Sequence, residues 1–212
     1  MIGDRHERDI QFELANRIVS QKQTLAHAMS DAIAAVKPGV SDQAYRQLNE
    51  INFDEALTRS REWLESVFQS EPPSKDVFAF WFGMYDTTQG PSGNEWQQMY
   101  ISGSDHFDAE DEGDWACDCV WFPNSRYPSV PEMELFGELC PHMENQAAFT
   151  LSNSFVGAIA VDHSDIIARM HEPKTGIFGK KSPVEYPIAF GHDSGDCTLV
   201  GYATSEGLRS PS

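Results

Sequence analysis

"DVFAFWFGMY", residues 76–85, is where the character of this chain changes. Upstream, apolar residues recur every three or four positions. Within the stretch they fill odd and even positions alike and are rich in aromatics. A short run with no polar face predicts a central strand buried on both sides.

Working outward toward the N-terminus, Ile10, Leu14, Ile18, Leu25, Met29, Ile33 and Val36 are spaced by three, four or seven, which predicts one face of a long helix. "KPGVSD" (37–42) ends it, and Ser41 caps a short helix over "DQAYRQL" (42–48). Asn52 and Glu55 form a capping-box pattern ahead of an amphipathic helix carrying Leu57, Trp63, Leu64, Val67 and Phe68. That helix stops near "SEPPS" (70–74).

Toward the C-terminus, "TTQGPSG" (87–93) is a loop and "WQQMYIS" (96–102) a second strand, antiparallel to the first. "DWACDCVWF" (114–122) alternates, which predicts a strand with Trp115, Cys117, Cys119 and Trp121 on one side. Ser129, Pro131, Glu132 and Glu134 start a helix over "PEMELFGEL" (131–139). Residues 144–170 are read as helix from their length and Ala content, against the pull of Thr, Val and the Ser/Asn cluster toward strand. "HEPKTGIFGKKSP" (171–183) is an exposed loop. "YPIAFGHDSGDCTLVGY" (186–202) is a hairpin turning at Asp193, Ser194 and Gly195. Helices followed by a mostly antiparallel sheet with helices packed on it make an α+β chain. One domain over 1–212 is expected, with a helical part at 1–70 and a sheet-containing core at 76–205.

The 212 residues are 40% hydrophobic and 11% aromatic, as in a folded globule with a substantial core. "MIGDRHERDIQFELANR" mixes charges where a secretory signal would be apolar, and no run approaches the ~18–20 apolar residues of a membrane span. A cytoplasmic protein without membrane association is expected. Four cysteines in such a chain are expected to be free thiols.

The net charge of −18 is unevenly placed. Residues 76–168 hold 16 acids against the single Arg126, while residues 1–75 hold 12 against 9 and residues 169–212 hold 5 against 5. Such a field repels nucleic acid and anionic lipid and attracts basic proteins. Its densest part is "SGSDHFDAEDEGDWACDC" (102–119), with seven carboxylates and no Lys or Arg.

Several chemistries have candidate residues in this chain. Asp108, Glu110 and Glu112 match positions 1, 3 and 5 of a calcium loop, with Gly113 at 6 and Trp115 at 8. Position 12 is Cys119 where a bidentate Glu is needed, so the template fails. Cys117, Cys119, Cys140 and His142 could form a tetrahedral zinc set, but two thiols on one strand face beside two tryptophans fit a hydrophobic interior better. "GHDSGD" (191–196) sets His192, Asp193 and Ser194 side by side, whereas triad members meet from distant segments; an Asp/Ser/Gly turn accounts for it. His163 beside Asp165, and His171, are read in the same way. "GIFGKKS" (176–182) does not match a phosphate loop. No cofactor is expected.

The order of "VFAFWFGMYD", a second strand, then "GDWACDCVWFPNSRYP" and a helix resembles a class of uncharacterised bacterial α+β proteins. The closing "YPIAFGHDSGDCTLVGY" is similar to glycine-aspartate hairpins in bacterial immunity-type families of polymorphic toxin systems. The resemblance covers about a quarter of the chain and carries no catalytic residue. It implies binding or inhibition more than catalysis.

Charge and resemblance together predict a non-enzymatic binding protein for a basic partner. Asp105, Asp108, Glu110, Asp111, Glu112 and Asp114 are expected to steer and pair with it, and Trp96 or Trp115 to anchor it, with core packing favoured for Trp115. The rival expectation is a metal-dependent enzyme on the Cys/His set above or on His163, His171 and His192. A third is an assembly subunit using the N-terminal helix face.

Overall fold

The structure, a computed structural model, describes residues 13–87, 96–110, 113–143, 147–171 and 185–211. The stretch that changes the period becomes β1 (Ala79–Thr87), the third strand of a six-stranded sheet. β2 (Trp96–Ser104) pairs antiparallel on one side of it, followed outward by β3 (Cys119–Trp121). On the other side β4 (Tyr186–His192) runs parallel to β1, then β5 (Asp196–Thr204) and β6 (Gly207–Arg209) complete an antiparallel meander. The parallel β1–β4 pair is the one departure from an antiparallel sheet. It arises because the chain crosses the sheet through helices between these strands.

The helices lie on one face. α1 (13–21), α2 (Leu25–Val36), α3 (Asp42–Asn49) and α4 (Phe53–Ser70) come before the sheet; α5 (Pro131–Leu139), α6 (Ala147–Asp162) and α7 (Ser164–Met170) come between β3 and β4. Phe80, Phe82, Met84, Met99, Ile101 and Phe190 point to that side and share one continuous core with Leu14, Leu25, Met29, Leu64 and Phe155. The N-terminal helices are thus part of the same packed body as the sheet. α6 is buried on almost every side, with the strands on one face and α2 on another. It therefore lacks the one-sided apolar period of a surface helix.

The long N-terminal helix is divided. Residues 13–21 are helical, and Lys22 then takes a left-handed conformation with φ 49°. Its N–H bonds to Val19 O at 3.2 Å and the Gln23 N–H to Ile18 O at 3.0 Å, which closes the helix C-terminus. Thr24 then caps α2 by accepting from the His27 N–H. The seven-residue step from Ile18 to Leu25 preserves the apolar face across this break, so periodicity alone does not reveal it. Ser41 and Asn52 cap α3 and α4 as expected, accepting from Ala44 N–H and Glu55 N–H. α5 starts at Pro131, but its cap is Val130 with no side-chain bond, and Ser129 does not act as one.

Two contacts tie the helical layer to itself and to the sheet. Arg61 on α4 bonds Asp162 and Asp165 at the α6–α7 junction, the latter at 2.8 Å. His171, buried just past α7, donates from Nε2 to Val77 O at 2.8 Å and packs against Phe80 and Tyr186. Burial pushes the His171 pKa below its usual value, although the Val77 hydrogen bond pulls the other way. A histidine depressed in the folded state favours folding above its unfolded pKa of about 6.5 and loses that contribution as pH falls toward the folded value. The urea midpoint should therefore drop between pH 7.5 and pH 5.5, and His171→Gln should shrink the drop. An equal drop in wild type and variant contradicts this.

Candidate functional site

Across the sheet from the helices, β1 presents Ala79, Trp81, Gly83 and Tyr85. That side is covered by the acidic residues 105–110 and 113–118, the strap. Its two aromatic residues serve as pegs. Trp115, 2% exposed, meets Trp81 edge-on at 6.4 Å, and Phe107 meets Trp115 at 5.3 Å. Together with Ala79 and Ala189 they form a second, smaller core. Ser104 Oγ donates to Asp118 O at 3.2 Å and fastens the strap's end to β2.

The strap's start and end have a simple local logic. Asp108 accepts the Glu110 N–H at 2.9 Å and makes a tight turn. Gly113 has φ 103°, where a side chain is disfavoured, and a Cβ there would lie 2.6 Å from the Cys197 Cβ of β5. This close approach seats the short 3₁₀ turn Asp114–Cys117 directly on the sheet.

That turn corrects the strand expected over 114–122: only Cys119–Trp121 is strand. In a 3₁₀ turn the period is three, so Trp115 and Trp121 separate. Trp115 joins the outer cluster, while Trp121 faces the helical side against Phe68 and Phe80. The cysteines do not form an inward row. Cys117 and Cys140 are exposed, and Cys119, half-buried, has its sulfur 2.9 Å from Ala116 O and 3.1 Å from Ser102 Oγ. Burial pushes the Cys119 thiol up, keeping it protonated. Cys140 and His142 lie in a 3₁₀ turn after α5, beside Val40 and Ser41 and away from the strap. Among the described residues no three His, Cys, Asp or Glu side chains gather as a metal site.

Trp96, the other expected anchor, packs inward along one side. It is half-buried against α5, where a Cβ at Gly137 would lie 2.2 Å from the Trp96 Cβ, and its Nε1 is buried. Asp105, Asp108, Glu110 and Asp114 are exposed, while Asp111 and Glu112 lie outside the described residues, as do 172–184 and 88–95. Asp105 sits 3.1 Å from the His106 imidazole. Among the described residues no Lys or Arg pairs with any of these four carboxylates; the arginine pairs lie on the helices and beside β4 and β6.

Between the strap and the hairpin turn, the sheet opens into a cleft of about 320 Å³, at the small end for ligand sites. Trp81, Tyr100 and Phe122 supply its aromatic surfaces, and Asp114, Asp193 and Cys117 are among the polar groups. Its floor depends on Gly83, which stands opposite Tyr100 in the β1–β2 register. With no side chain in the way, the Tyr100 ring crosses β1. There its hydroxyl accepts from Trp81 Nε1 at 3.2 Å and donates to Asp193 Oδ1 at 2.6 Å. Burial and the Asp193 carboxylate push the Tyr100 phenol far above its usual value, so it remains a neutral donor. Glu71 accepts from both Asn124 and Ser125, four bonds of 2.6–3.0 Å that pull its carboxyl down to about 2 and hold the loop after Phe122.

The hairpin turn brings together a further set that sequence spacing did not reveal. His192 Nδ1 lies 2.9 Å from Ser194 Oγ, and Nε2 lies 3.3 Å from Asp86 Oδ1. Asp86 comes from β1, a distant segment, as a triad would require. The same Nδ1 also accepts the Ser194 N–H at 3.1 Å, so the imidazole caps the turn with its lone pair. Gln97 holds Asp86 at 2.8 Å, and Phe149 of α6 packs on the His192 ring. These contacts explain the group as the end-lock of the β4–β5 hairpin. His163 is fully buried in the helical core, edge-on to Phe82 at 6.2 Å. Comparison with protein-family models, curated proteins and solved structures yields no match, so the site is read on its own geometry.

Proposed function

We propose that this chain is a non-enzymatic cytoplasmic binding protein whose strap docks a basic protein, in the manner of an immunity-type inhibitor. The observation that carries the reading is the state of the described strap carboxylates: exposed, and paired with no Lys or Arg of the described chain. Two aromatic pegs, Phe107 and Trp115, seat the backbone that carries them on the sheet, which lowers the ordering cost on binding. Exposed acids without Lys or Arg partners accelerate encounter with a cationic partner and pair with its side chains at the rim.

The test uses a fluorescein-labelled hexa-lysine peptide at low ionic strength. Replacing Asp105, Asp108 and Asp114 by Asn and Glu110 by Gln should weaken its binding about fourfold or more, from four exposed pairs at roughly 0.2–1 kcal/mol each. Neutralising four exposed acids on the helical side, Asp42, Glu50, Asp54 and Glu62, should have a much smaller effect. Equal losses in the two variants would mean that charge acts without a site, and the reading would fail.

A further inference from the structure

We infer that the cleft between strap and hairpin receives a guanidinium, an arginine side chain of the basic partner; this rests on the docking reading above and specifies what it recognises. Three features of the cleft converge on that group. Three aromatic residues line it, Trp81, Tyr100 and Phe122, with Phe122 left 51% exposed. A planar, weakly hydrated cation stacks on such faces better than a compact ammonium does. The lining carries two carboxylates from separate segments, Asp114 on the strap and Asp193 on the turn, and no Lys or Arg is among the lining residues. Asp193 is held in place by the Tyr100 hydroxyl at 2.6 Å, itself held by Trp81, so one acceptor is oriented before any ligand arrives. Such a fixed carboxylate suits the fork of donors on a guanidinium.

The rim already shows the affinity in question. Arg126, the single cation of residues 76–168, lies 4.6 Å from the Tyr127 ring centroid and 5.6 Å from that of Phe122. It also donates to Pro123 O at 3.0 Å, so its charge stays with its own loop and leaves Asp114 and Asp193 to a ligand. The volume of about 320 Å³ suits one long side chain and not a folded segment, which places the rest of the partner on the strap.

Hexa-arginine and hexa-lysine peptides carry equal charge and separate the two readings. Wild-type protein should bind hexa-arginine about fivefold or more tightly than hexa-lysine. Tyr100→Phe removes the hydroxyl that orients Asp193 without changing charge, and it should narrow that ratio. Hexa-arginine should also slow alkylation of the exposed Cys117 more than hexa-lysine does at equal occupancy. This second readout needs only wild-type protein and decides the matter if the variant is unstable. Equal affinity for both peptides with equal alkylation rates overturns the cleft inference while leaving strap docking in place. Failure of both peptides to bind overturns both readings.

Discussion

Trp115→Ala should destabilise the protein by about 3–5 kcal/mol, the usual range for removing a large aromatic from a packed site. Trp115 is 2% exposed and touches Trp81 and Phe107, so the variant loses the centre of the smaller core. Some of the loss will appear as local release, with strap amides losing protection from hydrogen exchange before those of α6. The variant should also lose binding of cationic peptides although every carboxylate remains. Denaturant unfolding followed by helical circular dichroism measures the global part, and exchange measures the local part. An unchanged urea midpoint with unchanged strap protection would show that the strap is not held by this side chain.

Gly83→Ala should cost about 1–3 kcal/mol, an overpacking penalty at the centre of the sheet. The added Cβ would fall 2.3 Å from Tyr100 Cζ and 2.4 Å from Trp81 Nε1, neither of which is a flexible chain end. Both rings must move, and the Trp81–Tyr100–Asp193 chain of hydrogen bonds breaks with them. The arginine preference of the cleft should therefore vanish in this variant even under conditions where it is fully folded. Thermal melts and the paired peptide titrations report the two effects separately. Wild-type stability together with wild-type preference would contradict the packing described at Gly83.

Much of the fold was legible in the sequence. β1 is central as its two-sided apolar run requires, and β4 and β5 turn at Asp193, Ser194 and Gly195. Ser41 and Asn52 are true caps because a short polar side chain before an apolar period has one favourable use there. The misreadings share a cause. The strand pattern over 114–122 and the helix pattern across 18–25 both keep an apolar rhythm through a backbone that changes conformation, at Asp114–Cys117 and at Lys22. Rhythm reports which residues are buried, not which backbone buries them. The site was half legible. Exposure of the described acids followed from their density, but the cleft did not, because Gly83, Tyr100 and Asp193 are far apart in sequence and meet only through strand register. Trp96 reads as a free aromatic until α5 is placed over it.

The most direct test of the account is an amide chemical-shift map of the isotopically labelled chain, titrated with hexa-arginine at an ionic strength of about 0.01 M, where screening extends to roughly 30 Å. Perturbations should concentrate on the strap, Tyr100, Phe122 and the turn at 193–195, and fade as salt is raised. A map centred on the N-terminal helices, or one spread evenly over all exposed acids, would contradict it.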